Sequence, residues 1–239
     1  MDQRLAYTLP CVGFVVAWSP DCDHLLAVGC ADGTVRLYFA LPELAVLVGV
    51  LGDADEHPFS LVRSIAWSSD GRWLAFTCPL EGVQVHTWGQ PRPEPFLIEC
   101  PTATVVAWSR NGAKALVTGH LDRIVRVWSL AGPTPTLTSL LHPGVYRGFP
   151  VHIVWSADRL RLGVVYMNDL TTARVWTNDG DFVREVSGRN PAAWIHQTGV
   201  SMALTLRAEA GGDGVRVYSQ LPSRTCRRTP LAQLRVRSR

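Results

Sequence analysis

The chain has 239 residues, a formal net charge of +3 and 47% apolar residues, which is enough for a packed core. The apolar runs are too short to cross a bilayer, so we predict no membrane span. The N-terminus lacks a basic segment followed by an apolar core, and the six cysteines include no CxxC pair. We therefore expect reduced cysteines in an intracellular protein of the cytoplasm or nucleus.

The first predicted element is a lone strand at residues 3–9. A complete unit follows at 12–38, with an apolar strand ending at Trp18, a second apolar strand, an Asp-Gly turn and a third strand ending at Tyr38. Asp-Gly between two apolar runs is a strong hairpin signal, and the third strand alternates apolar and polar residues as a half-buried strand does. An outer strand is predicted at 44–51.

The same order of features recurs four more times along the chain. The leading tryptophans lie 39 to 49 residues apart. Units four and five are predicted to have longer second turns, at 168–170 and 209–214. Another outer strand is predicted at 137–141. The five units span 12–38, 62–88, 107–128, 151–176 and 194–218.

A repeat of about 40 to 45 residues with four strands per unit resembles the WD-repeat family of β-propellers. The resemblance implies an all-β fold, a WD40-type β-propeller of about five blades at residues 1–221. It also implies that the strand at 3–9 completes the last blade. Most WD propellers have more blades, so three alternatives stay open: a closed five-bladed ring, an open ring completed by another chain, or a shortened relative of a larger protein.

One acidic residue occupies the second turn of each unit. The resemblance implies that these acids brace their blades, whereas catalysis would need a unique group of residues. The turn acids are Asp32, Glu81, Asp122, Asp169 and Asp213. The predicted structural aromatic residues, which end first or third strands, are Trp18, Trp67, Trp108, Trp155, Trp194, Trp128 and Trp176. No unit ends in the family's Trp-Asp dipeptide, so we expect an incomplete bracing network in most blades.

Two segments are candidate partner-binding sites. The connection at 129–151 is expected to expose Tyr146, Arg147 and Phe149, and exposed aromatic residues beside arginine are typical interface anchors. Ordinary loop packing is the alternative. The basic tail at 222–239, in which 231–236 could add one strand, has six arginines and no acid. It could contact phosphate or an acidic surface through Arg224, Arg227 and Arg228, with a solvated terminus as the alternative.

The sequence contains no recognisable catalytic motif. The patterns GxSxG, HExxH, GxGxxG and the P-loop are missing, and the seven histidines lack metal-ligand spacing. The acidic loop at 52–58 lacks the glycine and the terminal glutamate of a calcium loop. We therefore predict no catalytic, cofactor-binding or metal-binding residue, and no enzyme activity.

The resemblance implies a non-catalytic scaffold that binds other proteins of a multi-subunit assembly. Segments at 35–38, 64–67, 105–108 and 124–128 are also similar to nuclear-pore WD-repeat proteins, which implies a partner anchored in the nuclear envelope. The alternative is an RNA- or acidic-ligand-binding module that uses the arginine-rich tail. Its affinity would fall steeply with salt.

Overall fold

The computed structural model describes residues 3–11, 13–22, 24–41, 43–52, 61–78, 80–88, 95–109, 115–144, 148–156, 160–177, 179–187, 206–211 and 214–220. Within these ranges the chain forms nineteen β-strands in five antiparallel sheets. The first strand, β1 (Gln3–Leu9), belongs to the last sheet.

Four sheets each contain four strands that follow one another in the chain. The first sheet consists of β2 (Gly13–Trp18), β3 (Leu25–Cys30), β4 (Val35–Ala40) and β5 (Ala45–Leu51). The second consists of β6 (Ile65–Trp67), β7 (Trp73–Cys78), β8 (Gly82–Thr87) and β9 (Phe96–Glu99). The third consists of β10 (Ala103–Trp108), β11 (Ala115–His120), β12 (Val125–Ser129) and β13 (Thr136–Leu141). The fourth consists of β14 (Pro150–Trp155), β15 (Arg161–Tyr166), β16 (Asp169–Thr177) and β17 (Phe182–Ser187).

The fifth sheet joins the two ends of the described chain. It contains β18 (Leu206–Gly211) and β19 (Gly214–Gln220), and β1 pairs with β19 from Gln3 opposite Gln220 to Leu9 opposite Val215. Leu9 and Val215 are buried in one core cluster with residues of the first sheet. The prediction that the strand at 3–9 completes the last blade is therefore confirmed.

The sheets stack side by side through their first strands. Packing runs from the fifth sheet to the first and on through the second and third to the fourth. Trp67 Nε1 donates to the carbonyl oxygen of Ala17 (3.2 Å), and Trp108 Nε1 donates to that of Ala66 (3.0 Å). Equivalent residues meet in both pairs, so the first strands run in the same direction.

One face of the molecule therefore collects equivalent turns. Because antiparallel strands alternate in direction, every connection between a second and a third strand lies at the same end of its sheet. We call this the turn face, formed by residues 31–34, 80–81, 121–124 and 167–168. The predicted all-β propeller is confirmed, and the described strands do not close the ring between the fourth and fifth sheets.

Burial falls from the second strands to the outer ones. β3 is buried at every position, whereas four of the seven residues of β5 are exposed. Packing around β3 is so close that a Cβ added at Gly29 would lie 2.7 Å from side-chain atoms of Val15 in the same sheet and of Val62 just before the second sheet. Interdigitated branched side chains at this distance leave no room for a larger residue.

Two predicted long turns are wrong. Asp169 and Leu170 belong to β16, and a register shift after Val165 takes up the additional residues as a bulge. In the fifth sheet Gly211 pairs with Gly214, so the strands extend through most of the predicted loop. Polar and glycine residues indicate a turn when only the local sequence is considered. In the structure these residues instead pair with a neighbouring strand and so belong to the sheet.

Candidate protein-binding face

Three turns of the turn face, those of the first, third and fourth sheets, share a hydrogen-bonding pattern. Asp32 Oδ1 accepts hydrogen bonds from the backbone N–H (3.1 Å) and the hydroxyl group (2.6 Å) of Thr34. In the third sheet Asp122 Oδ1 accepts from the N–H of Ile124 at 3.0 Å. An acid that bonds to the backbone two residues ahead stabilises a tight turn. The residue after each of these two acids lies in the left-handed region: Gly33 (φ 83°) and Arg123 (φ 75°).

Two turn acids also pair with an arginine of the third strand. Arg36 Nη2 lies 2.7 Å from Asp32 Oδ2, and Arg126 donates to both carboxylate oxygens of Asp122, at 2.6 and 3.2 Å. Burial raises the pKa of both carboxyl groups, but hydrogen bonds from the turn and from the arginine outweigh it and hold each pKa below its usual range. Both acids are therefore charged at neutral pH.

The second and fourth sheets have other contacts at the position of this arginine. Gln84 takes the place of the arginine in the second sheet, and its Nε2 donates to Glu81 Oε2 at 3.4 Å. In the fourth sheet Asp169 bonds within its own turn. Arg174 instead extends toward the outer strand, where its Nε lies 3.5 Å from Glu185. Each of these turn-acid contacts joins residues of the same sheet.

Exposed apolar side chains occupy the tips of three successive turns. Leu80 is 68% exposed and Leu121 is 54% exposed, and each directly precedes its turn acid. Met167 and Leu170 are about half exposed at the fourth turn. We call these four residues the apolar tips. These residues were not predicted from the sequence, because an isolated leucine or methionine in a turn does not by itself indicate a binding site. The recurring apolar residue next to a turn acid is the signal that could have identified Leu80 and Leu121.

A buried polar chain supports the turn face in the third sheet. Trp128 Nε1 donates to Thr118 Oγ1 at 2.9 Å, and this oxygen lies 2.7 Å from His120 Nε2. His120 is 1% exposed. Burial, reinforced by the positive charge of Arg126, lowers the pKa of His120 to about 4, so the imidazole is neutral at physiological pH. This sheet therefore has a bracing network, built from a histidine that the sequence analysis did not select.

The predicted structural tryptophans lie between the sheets. Trp108, Trp155 and Trp176 are buried, whereas Trp18, Trp67 and Trp128 are half-buried and pack against neighbouring core clusters. The indole nitrogen of Trp155 is buried without a hydrogen-bond partner in the described part of the chain.

Phe149 was expected to be exposed, and this expectation is wrong. The side chain is half-buried, and the carbonyl oxygen accepts a hydrogen bond from the N–H of Met167 at 2.9 Å. The bond attaches the connection before β14 to the turn face. Several other predicted site residues lie outside the described residues: Asp213, Trp194, Tyr146, Arg147, Arg224, Arg227 and Arg228.

The described ranges contain no group of three or more His, Cys, Asp or Glu residues that could hold a metal ion. The cysteines in these ranges, at positions 11, 22, 30, 78 and 100, are free thiols, four of them buried. No helix in these ranges is long and apolar enough to cross a membrane.

Comparison with known proteins identifies the repeats. Residues 11–38, 49–78 and 99–129 match the family model "WD domain, G-beta repeat" (WD40). No curated protein sequence matches the chain significantly. The chain is similar to the crystal structure of the β-propeller domain of Myceliophteria thermophila Cps50 (Swd1), with a TM-score of 0.59 and 15% sequence identity.

That similarity covers 74% of this chain and 56% of the Cps50 chain, so the present sequence spans little more than half of the structure it matches. At this level of identity the comparison establishes the fold alone. Three segments of the chain thus match WD40 repeats, and the chain has the fold of a WD40-type β-propeller.

Proposed function

We propose that the chain is a non-catalytic scaffold that binds other proteins of a multi-subunit assembly through its turn face. The observation that carries the proposal is the exposure of Leu80, Leu121, Met167 and Leu170 at successive turns of one face. Apolar side chains exposed together and surrounded by polar groups are typical of protein-binding surfaces. WD40 propellers generally serve as platforms for protein interactions, which agrees with this use.

The turns beneath the apolar tips favour binding because they are already ordered. Asp122 bonds to the backbone of its own turn and to Arg126, so Leu121 is presented from a fixed backbone. A preorganised surface loses less conformational entropy on association than a flexible loop. The half-exposed acid–arginine pairs supply a polar surrounding to the apolar contacts. The partner that fits is a protein surface with an apolar centre and polar edges.

A narrower form of the proposal is an Aladin-like component of the nuclear pore, located at the nuclear envelope and held by a membrane-anchored partner. It is supported by sequence similarity at Val-Arg-Leu-Tyr38, at 64–67, at 105–108 and at 124–128, and by Pro222 and Cys226. Imaging of the tagged full chain in its own cells tests it. A rim of signal at the nuclear envelope supports this form, and a diffuse cytoplasmic signal removes it while leaving the general scaffold proposal intact.

A second candidate function is binding of RNA or another acidic ligand by the tail. It is favoured by the six arginines from Arg224 to Arg239, a stretch without any acid. Contacts to phosphate release counterions, so the affinity would fall steeply with salt. Binding that survives removal of residues 222–239 excludes this use of the tail.

The scaffold proposal is tested by replacing Leu121 with a photo-cross-linking residue in the full chain, in cells that normally express it. Leu160 is the matched control, because it is 63% exposed and lies between the first and second strands of its sheet, at the opposite face. We expect a discrete protein adduct from position 121 and none of that mass from position 160. Equal labelling from both positions would contradict binding at the turn face.

A further inference from the structure

The outer edge of the first sheet is unusually apolar. β5 lies at the sheet edge and contains no charged residue, and its Val46, Leu47, Val48 and Val50 are 44 to 52% exposed. Proteins usually protect such edges with charged residues, because an uncovered edge pairs with any extended chain. The outer strands β9 and β17 follow that practice, with Glu99 in the former and Arg184 and Glu185 in the latter. The outer strand β13 has no charged residue either, but its Thr136, Thr138 and Ser139 make it more polar than β5.

In the sequence, acidic residues flank β5 on both sides. Glu43 is exposed just before the strand, and the sequence continues after Leu51 with Asp53, Asp55 and Glu56. A second copy paired at this edge would place acids against acids, whether the two strands ran parallel or antiparallel. Like charges opposed across a strand pair destabilise it. The charge pattern therefore favours an apolar segment with basic residues on both sides.

The chain itself contains such a segment. Residues 230–237 read Pro-Leu-Ala-Gln-Leu-Arg-Val-Arg, preceded by Arg227 and Arg228 and followed by Arg239. Basic residues flank the apolar positions on both sides, so the charges match the ends of β5 in either strand direction. The segment includes residues 231–236, for which the sequence predicts an additional strand.

The segment also starts close enough to reach the edge. β19 ends at Gln220 in the fifth sheet, which packs on the first sheet through Leu9 and Val215. Neighbouring strands lie about 5 Å apart and stacked sheets about 10 Å apart, so the path to the edge of β5 is on the order of 20 Å. Residues 221–229 span up to roughly 30 Å when extended.

We propose that residues 230–237 add a strand to the free edge of β5. Their apolar side chains would cover the exposed valines and Leu47, and an arginine would pair with Glu43 at the start of the strand. This assignment is independent of the turn face. It also removes the tail from the surface available to RNA.

Hydrogen exchange of the full chain tests the proposal. The outward-facing amides of residues 45–51 exchange quickly at a bare edge and slowly when a strand accepts their hydrogen bonds. We expect protection in the native chain and in the matched control L234V/V236I, which keeps the segment apolar. In L234D/V236D the exchange should become at least about tenfold faster at 45–51 and stay unchanged at 96–99. Neither substituted residue belongs to a described strand, so we expect the described sheets to stay folded.

Three results would overturn the proposal. Exchange at 45–51 that is identical in the native chain and in L234D/V236D would show that the segment does not cover the edge. Protection that rises with protein concentration, together with a dimer in light scattering, would identify a second copy at β5. Protection that appears only after RNA or another protein is added to the purified chain would assign the edge or the tail to that ligand.

Discussion

The indole nitrogen of Trp108 donates a hydrogen bond to the carbonyl oxygen of Ala66 in the preceding sheet, at 3.0 Å. Trp67 forms the same bond to Ala17 at 3.2 Å, so the same type of hydrogen bond links the first sheet to the second and the second to the third. The equivalent nitrogen of Trp155 is buried without a partner among the described residues. The hydrogen bond and the ring packing of these tryptophans can therefore be separated experimentally.

Trp108→Phe should cost about 1 kcal/mol of unfolding free energy beyond the cost of Trp155→Phe, because only Trp108 donates a hydrogen bond. Trp108→Ala should cost about 3 to 5 kcal/mol, since it also leaves a cavity between two sheets. Urea unfolding of the three variants and the native chain measures both effects. Equal costs for the two phenylalanine variants would show that the hydrogen bond does not stabilise the stack.

Acidification should destabilise the protein through His120. Its pKa is about 4 in the folded state and 6.5 when unperturbed, so between these values the unfolded state binds more protons. Stability contributed by the neutral imidazole is complete above pH 6.5 and is lost as the pH falls toward 4. The loss from pH 7 to pH 5 should be about 2 kcal/mol.

The variant His120→Gln keeps a polar side chain beside Thr118 but cannot titrate. Its urea midpoint should therefore change less than that of the native chain between pH 7 and pH 5. Titration of Asp32 and Asp122 does not interfere with this comparison. The pKa of each carboxyl group is lowered from its unperturbed value of 3.8, so the stability that these groups contribute is lost mainly at pH values below 3.8. A native midpoint that stays constant over this range would contradict the assignment.

The turn at Asp122 separates a charge effect from a turn effect. Asp122→Asn keeps an acceptor for the N–H of Ile124 and loses the ion pair with Arg126, so it should cost only about 0.2 to 1 kcal/mol. Asp122→Ala loses both and should cost about 1 kcal/mol more. Thermal unfolding in low and high salt separates the two contributions. High salt should reduce the cost of losing the ion pair, which both variants share, and leave the difference between the variants unchanged. Equal costs would show that the turn does not depend on the acceptor.

Because β1 pairs with β19, we expect the stability of the protein to depend on a buried residue close to the N-terminus. Leu9 is buried against the first sheet, whereas the adjacent Thr8 is exposed. Leu9→Ala should lower the unfolding free energy by about 2 to 5 kcal/mol, while Thr8→Ala should change it by less than about 0.5 kcal/mol. Calorimetry of the full chain measures both. Similar melting temperatures for the two variants would mean that β1 contributes little to the core.

The repeat, the tight turns and the closing strand could be predicted because each depends on local patterns of apolar alternation and turn residues. The outer strands β9 and β17 were not predicted, since their sequences contain charges that resemble a loop until pairing with β8 and β16 is known. Arg174 illustrates the same limit. It occupies the position of Arg126, yet it meets Glu185 because the fourth sheet places an acid on its outer strand. Contacts between non-adjacent segments decided each of these features.

The scaffold account is tested most directly by quantitative affinity capture of the full chain from its own cells, comparing the native protein with L80D/L121D and L160D. All three should fold with the same melting temperature within a few degrees, because the substituted residues are exposed. The account predicts that L80D/L121D loses at least about 90% of the proteins captured by the native chain, while L160D retains them. Full capture by L80D/L121D, or an equal loss in L160D, would contradict binding through the turn face.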